Sequence, residues 1–171
     1  SIVMPAKNVG NFIKECIDSI ISQTYIDWEL LVVDDGSIDD TFEKLKEYEK
    51  IDKRIYVFKN EKEGIIEALR LAYSMSKGGF ITRMDADDIM HGDKLKEMSE
   101  VLIQKGKGNI ALGLVKYFCE GEIGEGFARY ETWLNKLTSS GSNFTEIYKE
   151  CVIPSPCWML HRADFDKAGG F

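Results

Sequence analysis

Polar segments, most of them acidic, follow three predicted strands of this 171-residue chain. They are residues 7–8, 34–37 and 85–88, and together they hold five carboxylates. Ligands of an open α/β sheet bind outside the carboxyl ends of its strands, so we expect these carboxylates to face one crevice. Carboxylates a few ångströms apart raise each other's pKa unless a cation compensates them. Mg²⁺ and Mn²⁺ prefer oxygen ligands and often share them with water and phosphate. The pattern therefore favours a divalent-metal site for a phosphorylated ligand.

Two of these segments have spacings with a specific chemical use. Asp85 and Asp87 form an Asp-x-Asp pattern, which would put both side chains on one side if the strand continued extended. In the turn at 34–37, a carboxylate could accept a hydrogen bond from the N–H of a nucleobase, and Gly36 would let a planar ring approach the backbone. Each segment taken alone also fits an ordinary acidic turn before a helix.

Alternating strands and helices must position these segments. Apolar runs predict strands at 2–4, 28–33, 55–58 and 80–84. Helical stripes follow each of them, with Asn11, an Asp40–Glu43 capping box, Gly64 and Asp93 at the predicted starts. Later elements are a strand at 110–119, helices at 127–137 and 144–148, a strand at 158–161 and a helical turn at 163–168. Such alternation predicts an α/β fold, a mostly parallel Rossmann-like sheet flanked by helices on both faces.

The composition excludes several classes of protein. With 44% hydrophobic and 30% charged residues, the chain is neither disordered nor a small disulfide scaffold. The 22 basic and 29 acidic residues give a net charge of −7, which disfavours nonspecific binding to nucleic acid or to anionic membranes. No apolar run approaches the ~20 residues that span a bilayer, so we expect no transmembrane segment and a cytoplasmic location, at the inner face of the membrane if the full-length protein associates with it. The four cysteines have no zinc-binding spacing and are expected to be free thiols.

The chain resembles the family 2 glycosyltransferases in four blocks that occur in the family's order. These blocks are SIVMPAKN at 1–8, ISQTY at 21–25 with WELLVVDDGS at 28–37, GFITRMDADD at 79–88, and the segment from His161-Arg162 to Gly169-Gly170-Phe171. The resemblance implies the A-type glycosyltransferase fold, a nucleotide-diphospho-sugar donor, Mn²⁺ or Mg²⁺, and a saccharide acceptor. It further suggests an inverting enzyme that uses a UDP-sugar in cell-surface polysaccharide synthesis.

The same resemblance assigns roles to individual residues. Pro5 and Ala6 would line the base pocket and Asp35 would hydrogen-bond the pyrimidine. Asp85 would lie near the ribose and Asp87 would bind the metal. Three further residues would complete the donor site: Asn8, Arg83 and Ala86.

The resemblance has two departures. The family often has Ala-Arg-Asn after the glycine of the third helix, where this chain has Ala68, Leu69 and Arg70. The family's catalytic carboxylate usually lies beyond the Gly-Gly-Phe, so we expect the base beyond Phe171 and the chain to be a C-terminally truncated fragment. Asp164 and Asp166 are nearer candidates, but they fit better as helix-start residues. We expect a single domain over 1–171, with a donor-binding half at 1–108 and the start of an acceptor half at 109–171.

Two other functions remain open from the sequence. A non-catalytic module that binds nucleotide sugars would need the same donor residues but no base. A phosphoacceptor receiver domain also uses an acid pair, a later Asp and Mg²⁺, although here a full strand and helix precede the acid pair. A dinucleotide-binding domain is disfavoured because no GxGxxG follows the first strand.

Overall fold

A computed structural model of the chain describes residues 1–119 and 121–171. Its strands are β1 (Ile2–Ala6), β2 (Leu30–Asp34), β3 (Ile55–Lys59), β4 (Phe80–Arg83), β5 (Ile110–Leu112) and β6 (Trp158–His161). Its helices are α1 (Ile13–Ile21), α2 (Thr41–Ile51), α3 (Ile65–Met75), α4 (Lys94–Lys105), α5 (Glu125–Ser140) and α6 (Arg162–Lys167). A single 3₁₀ turn at Asn143–Thr145 takes the place of the helix expected at 144–148.

The six strands form one sheet in the order β3-β2-β1-β4-β6-β5. Strands β1 to β4 are parallel, whereas β6 is antiparallel to both β4 and β5. The predicted α/β fold with a mostly parallel sheet is therefore confirmed. The order differs from the 2-1-3-4-5 order of receiver-like folds, which disfavours that alternative.

Helices cover both faces of the sheet. On one face, α1, α2 and α4 pack on the inward residues of the strands, and the apolar stripe of α1 supplies Ile13, Cys16, Ile17 and Ile20. On the other face, α3 packs on Val3, Leu31 and Val33 through Ala68, Leu69 and Ala72. Strands β1 and β2 are buried along their whole length, which explains their continuous apolar sequence. Within the described residues, no helix is long and apolar enough to cross a membrane.

The strand predicted at 110–119 is wrong beyond Leu112. Gly113 N still donates to Cys157 O, just before β6, but the backbone of Val115 and Tyr117 bonds to side chains of α5. Val115 N donates to Asn135 Oδ1 at 2.9 Å, the Asn135 amide donates back to Val115 O at 2.8 Å, and Tyr117 N donates to Glu131 Oε2 at 2.6 Å. These side-chain bonds satisfy the extended backbone outside the sheet.

The predicted helix caps are also corrected in detail. Asp40 and Asp93 stand at the starts of α2 and α4, but neither side chain makes a capping bond. Asp39 accepts from both the backbone N–H and the hydroxyl of Thr41, and Asp93 accepts the hydroxyl of Thr24. Asp93 thus joins the start of α4 to the segment after α1, whereas the exposed Asp40 pairs with Lys44 along α2.

Candidate active site

The candidate site lies at the carboxyl ends of β1, β2 and β4. The strand order reverses at β1, because β2 and β3 extend the sheet on one side of it and β4 extends the sheet on the other. Strands β1 and β2 pair as far as Ala6 and Asp34, whereas the pairing of β1 with β4 reaches only Val3 and Arg83. A last bond from Met84 N to Val3 O follows, and then the two strands separate. Pro5 stands where the ladder to β4 has ended, so its missing N–H leaves no bond unmade on that side. The separation opens the crevice that such a reversal creates.

The loops after β1 and β2 are bonded into one floor for this crevice. Asn8 adopts a φ of 53°, donates its backbone N–H to Ser37 Oγ at 2.9 Å and accepts from Ile38 N at 2.9 Å. Asp35 N donates to Ala6 O at 2.8 Å. Pro5 and Ala6 are buried at the end of β1 beneath these loops. Three of the predicted donor residues therefore lie beside Asp35.

Asp35 is nearly buried, with 8% of its side chain exposed, and is held by three groups. Its Oδ1 accepts from Asn60 Nδ2 at 2.6 Å and from Gly64 N at 2.9 Å. Its Oδ2 receives a longer contact from Gly64 N at 3.2 Å and lies 3.7 Å from Lys7 Nζ. Oδ2 therefore keeps capacity to accept another hydrogen bond.

The acidic segment after β4 forms a turn, and the expected strand alternation stops there. β4 ends at Arg83, and Asp88 N donates to Asp85 O at 3.2 Å. Asp85 is partly buried and pairs with Arg83 Nε at 2.8 Å, whereas Asp87 is exposed. Ala86, only 3% exposed, packs into the core and anchors the turn. Asp85 and Asp87 are thus neighbours with different surroundings, because a turn replaces the extended geometry.

Charges in this turn are only partly balanced. Burial, together with the nearby Asp85 and Asp87, raises the pKa of Asp88 to about 6. Lys94, in the first turn of α4, is the nearby cation besides Arg83, and burial lowers its pKa to about 8. Its ammonium also donates to Pro156 O, in the loop before β6. An added cation would relieve the repulsion among the three carboxylates.

The residues of the site fit a divalent cation that takes few ligands from the protein. Across the described residues, no three His, Cys, Asp or Glu side chains are grouped to hold a metal by themselves. Mg²⁺ and similar ions commonly take one or two carboxylates and complete their shell with water and substrate phosphate. Asp87 offers an exposed carboxylate of that kind, at the same turn as Asp85. The donor set therefore matches a metal that is held jointly with a diphosphate.

The structure adds four residues that the sequence analysis did not assign to the site: Lys7, Asn60, Gly64 and Lys94. Asn60 follows β3 directly, so inspection of all the strand ends would have found it. Lys94 gave no local signal, because its contact with Pro156 joins residues 62 positions apart.

Asp164 and Asp166 lie away from the site. They are in α6, which follows the end of β6 that pairs with Phe80 at the beginning of β4. Asp164 accepts from Gly108 N at 2.7 Å, and Asp166 accepts the hydroxyl of Tyr73. Asp164 and Asp166 thus lie near the amino end of β4, whereas the site lies at its carboxyl end, and this position argues against a catalytic role.

Comparison with known proteins identifies the family. The profile of the family described as Glycosyl transferase family 2 matches residues 1–169. A Bacillus subtilis protein named for teichuronic acid biosynthesis, glycosyltransferase TuaG, is 33% identical over 106 residues, which are 61% of this chain and 42% of that protein. The chain spans 17%, 44% and 42% of the length of three curated relatives, so it corresponds to less than half of each.

Solved structures share the fold. TarS of S. aureus, in complex with UDP-GlcNAc, matches with a TM-score of 0.73 and 19% identity over 98% of this chain and 46% of that one. The mannosyltransferase PcManGT of Pyrobaculum calidifontis, in complex with GDP-Man and Mn²⁺, matches with a TM-score of 0.70 and 19% identity over 99% and 46%. Because the family profile matches residues 1–169 and the solved neighbours share the fold, the chain belongs to glycosyl transferase family 2 and has the A-type glycosyltransferase fold.

Proposed function

We propose that this chain is the donor-binding part of a metal-dependent, inverting glycosyltransferase that uses a UDP-sugar. The observation that carries the proposal is the meeting of two unlike acidic sites at one crevice. Asp35 is a nearly buried, oriented carboxylate after β2, and Asp87 is an exposed carboxylate after β4. The first suits a nucleobase and the second suits a metal-bound diphosphate. Binding of UDP-GlcNAc by TarS and of GDP-Man with Mn²⁺ by PcManGT supports this assignment.

The base would bind at the end formed by β1 and β2. Oδ2 of Asp35 keeps acceptor capacity for an N–H of the pyrimidine. Pro5 and Ala6 would form the wall beside it, and Asn8 would hold the two loops together through its bonds to Ser37 and Ile38. These contacts would fix the nucleotide before any chemistry occurs.

The diphosphate would bind at the turn after β4. Asp87 would hold Mn²⁺ or Mg²⁺, and Asp85 would lie near the ribose while its pairing with Arg83 fixes its orientation. Ala86 would keep the turn seated against the core. When bound, the ion would stabilise the negative charge that develops on the leaving diphosphate.

The acceptor would approach from the second half of the chain. We propose that residues 1–108 form the donor half, that 109–171 begin the acceptor half, and that the base that deprotonates the acceptor hydroxyl lies beyond Phe171. The location of Asp164 and Asp166 near the amino end of β4, away from the site, supports this division. Similarity to TuaG supports a saccharide acceptor in cell-surface polysaccharide synthesis.

Calorimetric titration with UDP, with and without Mn²⁺, tests the proposal. We expect UDP binding to require Mn²⁺ and to weaken at least about tenfold in Asp87→Asn, because the ion loses its charged protein ligand. Asp27→Asn is the matched control, since Asp27 is also exposed but precedes β2, at the opposite ends of the strands from the site.

Three results would contradict parts of the proposal. Absence of UDP binding by the folded chain, together with binding of GDP, would exclude the uridine donor. Binding that does not change with Mn²⁺ would exclude the metal. Equal effects of Asp87→Asn and Asp27→Asn would remove Asp87 from the site.

A further inference from the structure

Asn60 connects β3, β2 and α3 on the side of the site where the nucleobase is proposed to bind. Its backbone N–H donates to Asp34 O at 2.8 Å, which joins the end of β3 to the end of β2. Its Oδ1 accepts from Lys62 N at 3.1 Å and closes a short turn. Its Nδ2 donates to Asp35 Oδ1 at 2.6 Å and approaches Gly64 O, at the start of α3, at 3.3 Å. The side-chain amide thus divides its two functions, with the acceptor serving the turn and the donor serving Asp35.

The bonds to Asp35 are unequal on its two oxygens. Oδ1 takes the two short bonds, from Asn60 and from Gly64, whereas Oδ2 accepts a longer hydrogen bond of 3.2 Å from Gly64 N. Lys7 lies 3.7 Å from Oδ2, and 47% of its side chain is exposed, so Oδ2 is the oxygen on the open side. A carboxylate whose Oδ1 is held in this way cannot rotate freely about its last torsion.

We propose that Asn60 is a positioning residue for base recognition, because its amide holds Asp35 with Oδ2 directed toward the base. The inference rests on the proposed function. The fixed acceptor matches a base edge that presents a ring N–H, as uracil does. Cytosine presents an unprotonated ring nitrogen at the same place, and two acceptors facing each other leave the carboxylate unsatisfied. Asn60 therefore contributes to selection of uracil over cytosine without touching the nucleotide.

The variant Asn60→Asp tests the hydrogen bond to Asp35 separately from the hydrogen bond that closes the turn. Aspartate keeps an oxygen for the Lys62 N–H but has no N–H for Asp35, and it places a second carboxylate beside the first. Asn109→Asp is the matched control, because the exposed Asn109 donates its amide only to the carbonyls of Lys105, Gly106 and Lys107, away from the site. Thermal unfolding verifies that each variant is folded. If Asn60→Asp does not fold, Asn60→Ser replaces it, because the serine hydroxyl also supports a turn.

Dissociation constants for UDP and CDP at saturating Mn²⁺ are the readout. We expect the unmodified chain to prefer UDP by about tenfold or more. In Asn60→Asp, UDP binding should weaken about tenfold and the preference should fall toward one, whereas Asn109→Asp should change neither.

The outcomes separate the inference from the proposed function. Failure of the unmodified chain to bind UDP would overturn the proposed function. If the chain binds UDP but Asn60→Asp keeps the UDP preference, or weakens both nucleotides equally, Asn60 has only a structural role and the inference is wrong.

Discussion

At the residue scale, Gly64 performs two tasks that another residue could not combine. It adopts a φ of 117°, which side-chain-bearing residues rarely adopt, at the first position before α3. From this conformation its N–H reaches both oxygens of Asp35. Open space surrounds the position of an added Cβ, so any penalty for substitution arises from the backbone and not from crowding.

We expect Gly64→Ala to destabilise the chain by about 1–3 kcal/mol, the usual cost of such a backbone conformation. UDP binding should also weaken, because a relaxed backbone would withdraw the N–H from Asp35. Urea unfolding and calorimetry measure the two effects. Gly126→Ala is the control, since Gly126 lies within α5 with open space at its Cβ, and there alanine should stabilise by about 0.5–1 kcal/mol. A change in stability for Gly64→Ala that matches the control in both size and sign would contradict the backbone explanation.

At the element scale, the connection from α2 to β3 is closed by a charged cluster. Arg54 binds both oxygens of Asp52 through Nε and Nη2, with the shortest contact at 2.6 Å. The same guanidinium lies 3.7 Å from the ring centre of the buried Trp28 and donates to Ile26 O. One side chain thereby ties the turn to the segment that leads into β2, the strand that ends at Asp34 and is followed by Asp35.

The bonds from Arg54, which outweigh burial, hold the pKa of Asp52 below its usual value. A carboxyl whose pKa is lowered on folding stabilises the protein above its unfolded pKa, about 3.9, and this contribution is lost as the pH falls through the lowered value. We expect Asp52→Asn to cost about 1 kcal/mol at pH 7 and progressively less below about pH 4. Urea unfolding across this pH range measures the difference.

Asp40→Asn provides the comparison for that series. Asp40 pairs with Lys44 at 2.9 Å on the exposed surface of α2, where such pairs contribute at most about 0.5 kcal/mol. A cost of Asp52→Asn that stays constant down to pH 3 would show that charge is not the cause.

At the scale of the whole molecule, stability and function are divided between regions. The central strands β1 and β2 are buried between helices on both faces, and β4, which pairs with β1, buries Ile81 and Thr82. In contrast, Phe144, Ile147 and Tyr148 are exposed large apolar residues in a segment that, apart from one 3₁₀ turn, forms no helix or strand. The rigid centre carries the donor residues, whereas the later segments are packed less extensively.

Native-state hydrogen exchange tests this division. Amides of 2–4, 6, 30–34 and 80–83 should exchange most slowly, near the free energy of global unfolding, and those of 146–153 should exchange fastest. The reason is that the central amides exchange only when the sheet opens. Equal protection of 80–83 and 146–153 would contradict the expectation.

The sequence alone determined the fold class, the order of most elements and the strand ends that carry the candidate site. These features follow from local patterns, since apolar runs mark buried strands and helical stripes mark their flanking helices. The acidic turns at 34–37 and 85–88 were equally visible. Family membership followed from the same blocks and was confirmed.

Only the tertiary structure decided how the site's side chains are arranged. It ended β4 at Arg83, directed the backbone of Val115 and Tyr117 to side chains of α5, and joined Lys94 to Pro156. It also showed that Asn60 and Gly64 hold Asp35 from a strand end and a helix start 25 and 29 residues away. Local patterns fix which elements form, but these contacts depend on how distant elements pack. For that reason the sequence could name Asp35 and place Asn60 at a strand end, but it could not show that Asn60 and Gly64 orient Asp35.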